Sequence, residues 1–331
     1  MTKALELGVA KLNAYVVELN TNTIIDVEMV ASPNTSTVTR LAFTTLASPA
    51  AVEWTNHREV VAVAMNGKQL FFSTSDNDQT FTAWSQAGSF PAPSGICGDP
   101  SAVSWGPGRV DVFVLACDGD IMQGTHLNNA WNWASRGPGF NSSRAAVASS
   151  PDGARLDVWM PISGQIEDDQ YNGSGWTGRE ASPLTGMWSI ASSPIHANGG
   201  NNVISGAVVG LDLDGQLVGL GDDMWASHGF AYAPSSNING WGWPSTATFS
   251  PNSIVVYGLD AQQHIARTRL SFSGFTPQWN AMSNNLGGPS GQAFVGRVGV
   301  IAGLTENGSE PLFVFAITPS GNLYFSLDTP S

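Results

Sequence analysis

One hairpin unit recurs along this chain, and that recurrence limits the fold more than any other feature. "RVDVFVLACDGDIMQGTHLNNAWNW" (Arg109 to Trp133) reads as an apolar strand, an Asp118-Gly119 turn, a return strand and a Trp-x-Trp strand. Asp-Gly supplies the positive φ angles of a tight hairpin. "SAVSW", ending at Trp105, is a leading strand before it. Similar hairpins turn near Asn22, Gly67, Gly164, Gly215, Gln262 and Gly321, roughly 45 to 60 residues apart. Further leading strands are "AAVEW", "AAVAS" and "STATFS".

Four strands in each unit of this length predict an all-β β-propeller with four-stranded antiparallel blades. Seven hairpins predict seven blades, with six as the alternative if the first hairpin does not count. The whole of residues 1–331 then forms a single domain, interrupted by an irregular aromatic-rich insert at about 221–244. The last hairpin ends without a fourth strand. Ala4 to Val9, "ALELGV", is expected to supply it and lock the ring.

Composition agrees. Charged residues are 12% against 42% hydrophobic, with 37 Gly, 19 Pro and 12 Trp, a pattern of many short strands. The net charge of −13, with lysine only at Lys3, Lys11 and Lys68, argues against nucleic acid and anionic membranes. No apolar run is long enough to span a bilayer. The N-terminal segment interrupts its apolar residues with Glu6 and Lys11, unlike a signal peptide. A cytoplasmic location is the expectation, and with it Cys97 and Cys117 as free thiols, a single bridge between them being the alternative.

"ARLDVWMPISGQIEDDQYNGSGWTG" (Ala154 to Gly178) and the unit around Asp118 resemble blades of the fungal fucose-binding lectin propellers and their bacterial relatives. The resemblance implies sugar sites between neighbouring blades, each built from an Arg opening the second strand, an acid on the third and an aromatic ring. Arg155, Asp168 and Trp176 match this pattern. Arg109 matches its first element, with Gln123 where the acid belongs. The unit near Gly67 is expected to carry Glu59 in place of the Arg, and the later units lack it. A bland alternative makes Arg155 and Asp168 an ordinary surface ion pair.

The histidines lie in separate units without ligand spacing, so no metal is expected. No Ser-His-Asp context and no Gly-rich phosphate cradle appear, so no cofactor is expected either. In overall pattern the chain also resembles the lectin-like hetero-Diels–Alderases of fungal tropolonic sesquiterpenoid biosynthesis. Those cofactor-free enzymes join a tropolone-derived o-quinone methide to a humulene-type terpene. That resemblance implies a central apolar pocket for small apolar or aromatic substrates. Trp54, Trp105, Trp188, Tyr232, Trp241 and Trp243 would line it, and His57, His196 and His228 would polarise a carbonyl. Orientation supplies most of such catalysis. A secondary-metabolite cyclase is therefore the first functional expectation and a fucose-type lectin the alternative. A homodimer is compatible with either.

Overall fold

The computed structural model describes residues 11–17, 21–30, 35–54, 57–76, 80–106, 108–139, 146–149, 155–162, 164–181, 189–199, 202–212, 216–221, 231–232, 244–250, 252–273, 276–281, 283, 286, 293–302 and 312–328. Within them the strands form seven antiparallel sheets that follow one another along the chain. The first contains β1 (Lys11–Val17), β2 (Thr23–Val30) and β3 (Thr35–Thr44). The second contains β4 (Ala50–Trp54), β5 (His57–Val63), β6 (Leu70–Asp76) and β7 (Ser85–Gln86). The third contains β8 (Ser101–Gly106), β9 (Arg109–Leu115), β10 (Asp120–Leu127) and β11 (Ala130–Pro138). The fourth contains β12 (Ala146–Ser149), β13 (Leu156–Ile162), β14 (Gln165–Tyr171) and β15 (Glu180–Ala181).

The fifth sheet contains β16 (Ser189–Gly199), β17 (Asn202–Leu211), β18 (Leu217–Gly221) and β19 (Ala231–Tyr232). The sixth contains β20 (Ser245–Ser250), β21 (Ser253–Leu259), β22 (Ile265–Ser273) and β23 (Thr276–Trp279). The seventh contains β24 (Val295–Ala302), β25 (Leu312–Ile317) and β26 (Leu323–Asp328). Every strand pairs with its chain neighbour, so each sheet is a meander. From the second sheet onward, the leading strands β4, β8, β12, β16, β20 and β24 lie beside one another in that order. The expected closing strand, Ala4 to Val9, lies outside the described residues.

Second strands are apolar on both faces because both faces are covered. Val110, Val112, Phe113 and Val114 of β9 are all buried. One of its faces packs with Val61, Val63 and Leu70 of the second sheet. The other packs with Leu156, Val158 and Met160 of the fourth. The same alternation joins the fifth and sixth sheets through Leu217 and Leu270, and the sixth and seventh through Tyr257 and Phe294. Between the fourth and fifth sheets, Trp159 lies flat against Gly206, where any Cβ would fall inside the indole.

The cysteines are not free. Cys97 and Cys117 form a disulfide with Cα atoms 4.9 Å apart. The cause is a local ladder: Ile96 bridges Ala116, Cys97 N–H donates to the Leu115 carbonyl and Cys117 N–H to that of Gly95. The segment after the second sheet is thereby fastened to the β9–β10 hairpin of the third. This corrects the free-thiol expectation, which followed from the expected cytoplasmic location; such bridges persist mainly in oxidising compartments.

Candidate functional site: the clefts between neighbouring sheets

A buried acid lies near the start of the second strand in three successive sheets. Glu59, Asp111 and Asp157 are each 0–1% exposed. A carboxylate buried this deeply requires charged or hydrogen-bonding partners. Asp111 has such partners in Arg109, Gln123 and Thr125. Arg109 donates from Nε at 2.8 Å and from Nη2 at 3.3 Å. Gln123 Nε2 and Thr125 Oγ1 each donate at 2.7 Å. Arg155 donates to Asp157 at 2.7 Å in the same way. In the second sheet β5 opens on His57, not on an acid, and Glu59 aligns with Asp111. The expectation that Glu59 replaces the arginine is corrected: His57 does.

Strand alternation decides which neighbour each side chain meets. Asp111 lies opposite Thr125 and Phe113 opposite Gln123, so these four share one face with Arg109. That face meets the fourth sheet, where Phe113 and Trp176 make an edge-to-face contact at 6.4 Å. Trp176 stands opposite Tyr171, with their rings 5.5 Å apart. Arg109 covers the Tyr171 ring at 5.4 Å, and Arg136 of β11 covers Trp176 at 4.4 Å. The cleft between the third and fourth sheets thus joins a braced guanidinium to an aromatic wall.

Charges in this cleft respond to burial and to one another. Burial lowers the pKa of Arg109, but hydrogen bonding and attraction from Asp111, with a smaller contribution from Tyr171, leave it raised. Burial depresses that of Arg136 against the pull of Asp169 and Asp111. Asp169 is 5% exposed. Burial holds its carboxyl above the ordinary range, although Arg136 and the backbone N–H groups of Gly178 and Gln170 oppose the shift.

The cleft between the second and third sheets repeats the geometry with different chemistry. His126 of β10 reaches across to Glu59 at 2.9 and 3.1 Å. Its ring stacks on Trp131 with centroids 4.8 Å apart and an interplanar angle of 1°. On the other side of Glu59, His57 Nε2 approaches at 3.9 Å, and His57 Nδ1 meets Asp76 at 2.5 Å. His57 therefore belongs to an acid–imidazole chain at a sheet boundary.

Arg155, Asp168 and Trp176 do not form one site. Asp157 lies opposite Gln170 and Trp159 opposite Asp168, which puts Arg155, Asp157 and Asp168 on the face turned to the fifth sheet. Trp176 and Tyr171 are on the other face, turned to the third. The structure instead brings together Arg109, Gln123 and Trp176. A surface position for Asp168 is also corrected, because it is 2% exposed and Gln170 donates to it at 2.9 Å; Arg155 on the same face donates to Asp157.

Trp54 ends β4 and Trp105 lies near the end of β8, and their side chains lie outside the described residues, as do those of His196 in β16 and Tyr232 in β19. Trp188, His228, Trp241 and Trp243 lie outside them entirely. His126, Tyr171 and Arg136 were missed in sequence. A signal was present for the first two: each falls five residues before a Trp that pairs back against it.

No family model matches the chain, and no curated protein does. Solved structures do. A triple arginine-to-alanine mutant of AofleA from Arthrobotrys oligospora superposes with a TM-score of 0.56 at 15% identity, covering 98% of this chain and 89% of that one. Aleuria aurantia lectin, a six-bladed β-propeller with a fucose recognition mode, gives 0.53 at 14% identity over 84% of this chain and 90% of its own. The fold is a β-propeller. The propeller domain of Cps50 (Swd1) from Myceliophthora thermophila also matches, at 0.55 and 8% identity over 100% of both chains. Propellers with different roles therefore share this architecture, and the fold by itself names no ligand.

Proposed function

We propose that this protein is a carbohydrate-binding propeller of the lectin type, and that its seven sheets are the seven blades of one ring. The observation that carries the binding role is the Arg109–Asp111 pair, braced by Gln123 and Thr125 and facing Tyr171 and Trp176 across a sheet boundary. A guanidinium held in one orientation within a cleft is suited to oriented hydrogen bonding with sugar hydroxyls. An aromatic wall beside it covers the apolar C–H face of a pyranose. The structural neighbours include a lectin solved with Fucα1-6GlcNAc, which favours a neutral sugar of the fucose class.

The cyclase reading rests on His57, His196 and His228 with Trp54, Trp105, Trp188, Tyr232, Trp241 and Trp243. Of these, His57 lies by Glu59 and Asp76 at a sheet boundary, and the other side chains lie outside the described residues. A glycan array with the intact chain tests it. Fucosylated glycans bind, and Arg109→Ala and Trp176→Ala each abolish the signal. Undiminished binding by both variants refutes the site, and an array with no sugar bound refutes the role.

A further inference from the structure

The boundary between the sixth and seventh sheets departs from the pattern in one respect. Val255 occupies the position that Glu59 and Asp111 fill in the second and third sheets. The residue opposite it is Arg269, where those sheets have Thr74 and Thr125. One step along the same face, Arg267 lies opposite Tyr257. This cleft has therefore lost the buried acid and gained two guanidinium groups. The exchange occurs in a chain with 26 acidic residues against 13 basic ones, where carboxylate partners for arginine are plentiful.

The two arginines differ in their partners. Arg267 Nη1 contacts both oxygens of Asp328 at 2.6 and 2.7 Å, and Tyr257 donates its hydroxyl to the same carboxylate at 2.7 Å. Arg269 lies over the Phe249 ring at 5.5 Å. Its Nε is buried without a hydrogen-bond partner among the described residues. Beside both arginines is a cavity of about 90 Å³, lined also by Val255, Asn280 and Ser283. A buried guanidinium N–H without an acceptor is costly, and the acceptor a guanidinium fits best is a planar two-oxygen anion.

We propose that this cleft binds a small organic carboxylate, with Arg269 as the primary anchor and Arg267 as the second donor. The cavity holds the carboxylate and the carbon that bears it, and Asn280 and Ser283 at its edge face the rest of the ligand. The site is independent of the cleft between the third and fourth sheets. A carboxylate on a sugar and one on a simple acid share the anchoring chemistry, and the experiment separates them.

Isothermal titration of the full chain with glucuronate, glucose and acetate at constant ionic strength is the test. Glucuronate binds at one site, acetate competes with it, and glucose does not. Arg269→Leu weakens glucuronate by at least about tenfold. Arg269→Lys, which keeps the charge and most of the stem, weakens it less, so loss of fold and loss of the fork are told apart. Asp328→Asn removes the competing carboxylate from Arg267 and tightens binding. Arg109→Ala leaves glucuronate affinity unchanged. Equal affinity of the wild type and Arg269→Leu overturns the proposal, as does glucuronate that acetate cannot displace.

Discussion

Replacing Asp111 by Ala removes the centre of the best-defined polar cluster in the molecule. The carboxylate is fully buried and accepts from Arg109, Gln123 and Thr125. Breaking a buried ion pair from one side costs about 3–5 kcal/mol. The Arg109 side chain is 24% exposed, so water partly solvates the guanidinium that remains, and the lower end of that range applies. The stranded Gln123 amide, 5% exposed, restores part of the difference. A loss of about 3 kcal/mol follows. With an unfolding entropy near 2.1 cal/mol/K for each residue, a chain this long loses about 4 °C in Tm. Differential scanning calorimetry and guanidinium titration measure the change. Asp111→Asn, which still accepts from Gln123 and Thr125, loses about half as much. A Tm for Asp111→Ala within 1 °C of the wild type would show that the cluster holds nothing, and the argument that it preorganises Arg109 for a sugar would fall with it.

Three further outcomes are expected. Cys97→Ser with Cys117→Ser, separated by 20 residues, destabilises by about 3 kcal/mol on the chain-entropy estimate, and the reduced wild type matches the double variant in a denaturant titration. Asp169 has its folded pKa raised by burial, so the folded chain binds more protons than the unfolded one between the two values. Stability from this group is greatest below the unfolded pKa and declines as pH rises through the folded one. Asp169→Asn removes that decline, which Tm measured from pH 3 to pH 7 reads out directly. Gly206→Ala forces a methyl group into the Trp159 indole and costs about 1–3 kcal/mol, seen as a lower Tm with quenched or shifted tryptophan emission.

The hairpins were legible because their turns need backbone angles that few residues adopt. Gly67, Gly119, Gly164 and Gly321 all have positive φ, as does Asn22, and each was marked by its residue type alone. In the sixth sheet the turn falls one residue later than expected, at Gln263, where neither Gly nor Asn marks it. The candidate site was legible only in part. Arg109, Gln123 and Trp176 were each visible, but reading along the chain groups residues of one unit. A propeller cleft instead takes one face from each of two units, so Trp176 was assigned to Arg155 when it belongs with Arg109. The disulfide was hidden because nothing in the spacing of Cys97 and Cys117 marks the Ile96–Ala116 bridge that aligns them. Asp168 was expected at the surface or beside a ligand, and its burial follows from the fifth sheet covering that face.

Because each sheet from the second to the sixth turns one face to its predecessor and the other to its successor, the boundaries are chemically separate compartments. Glu59 with His126, Asp111 with Arg109, and Arg267 with Arg269 occupy equivalent stations around the same scaffold. Sites that are distant and share no partner contribute independently. A duplicated unit of this kind can thus exchange an acid for an arginine at a single junction without disturbing the others. Successive junctions can then differ in chemistry on one scaffold, as the acid–imidazole, acid–guanidinium and paired-guanidinium junctions do here.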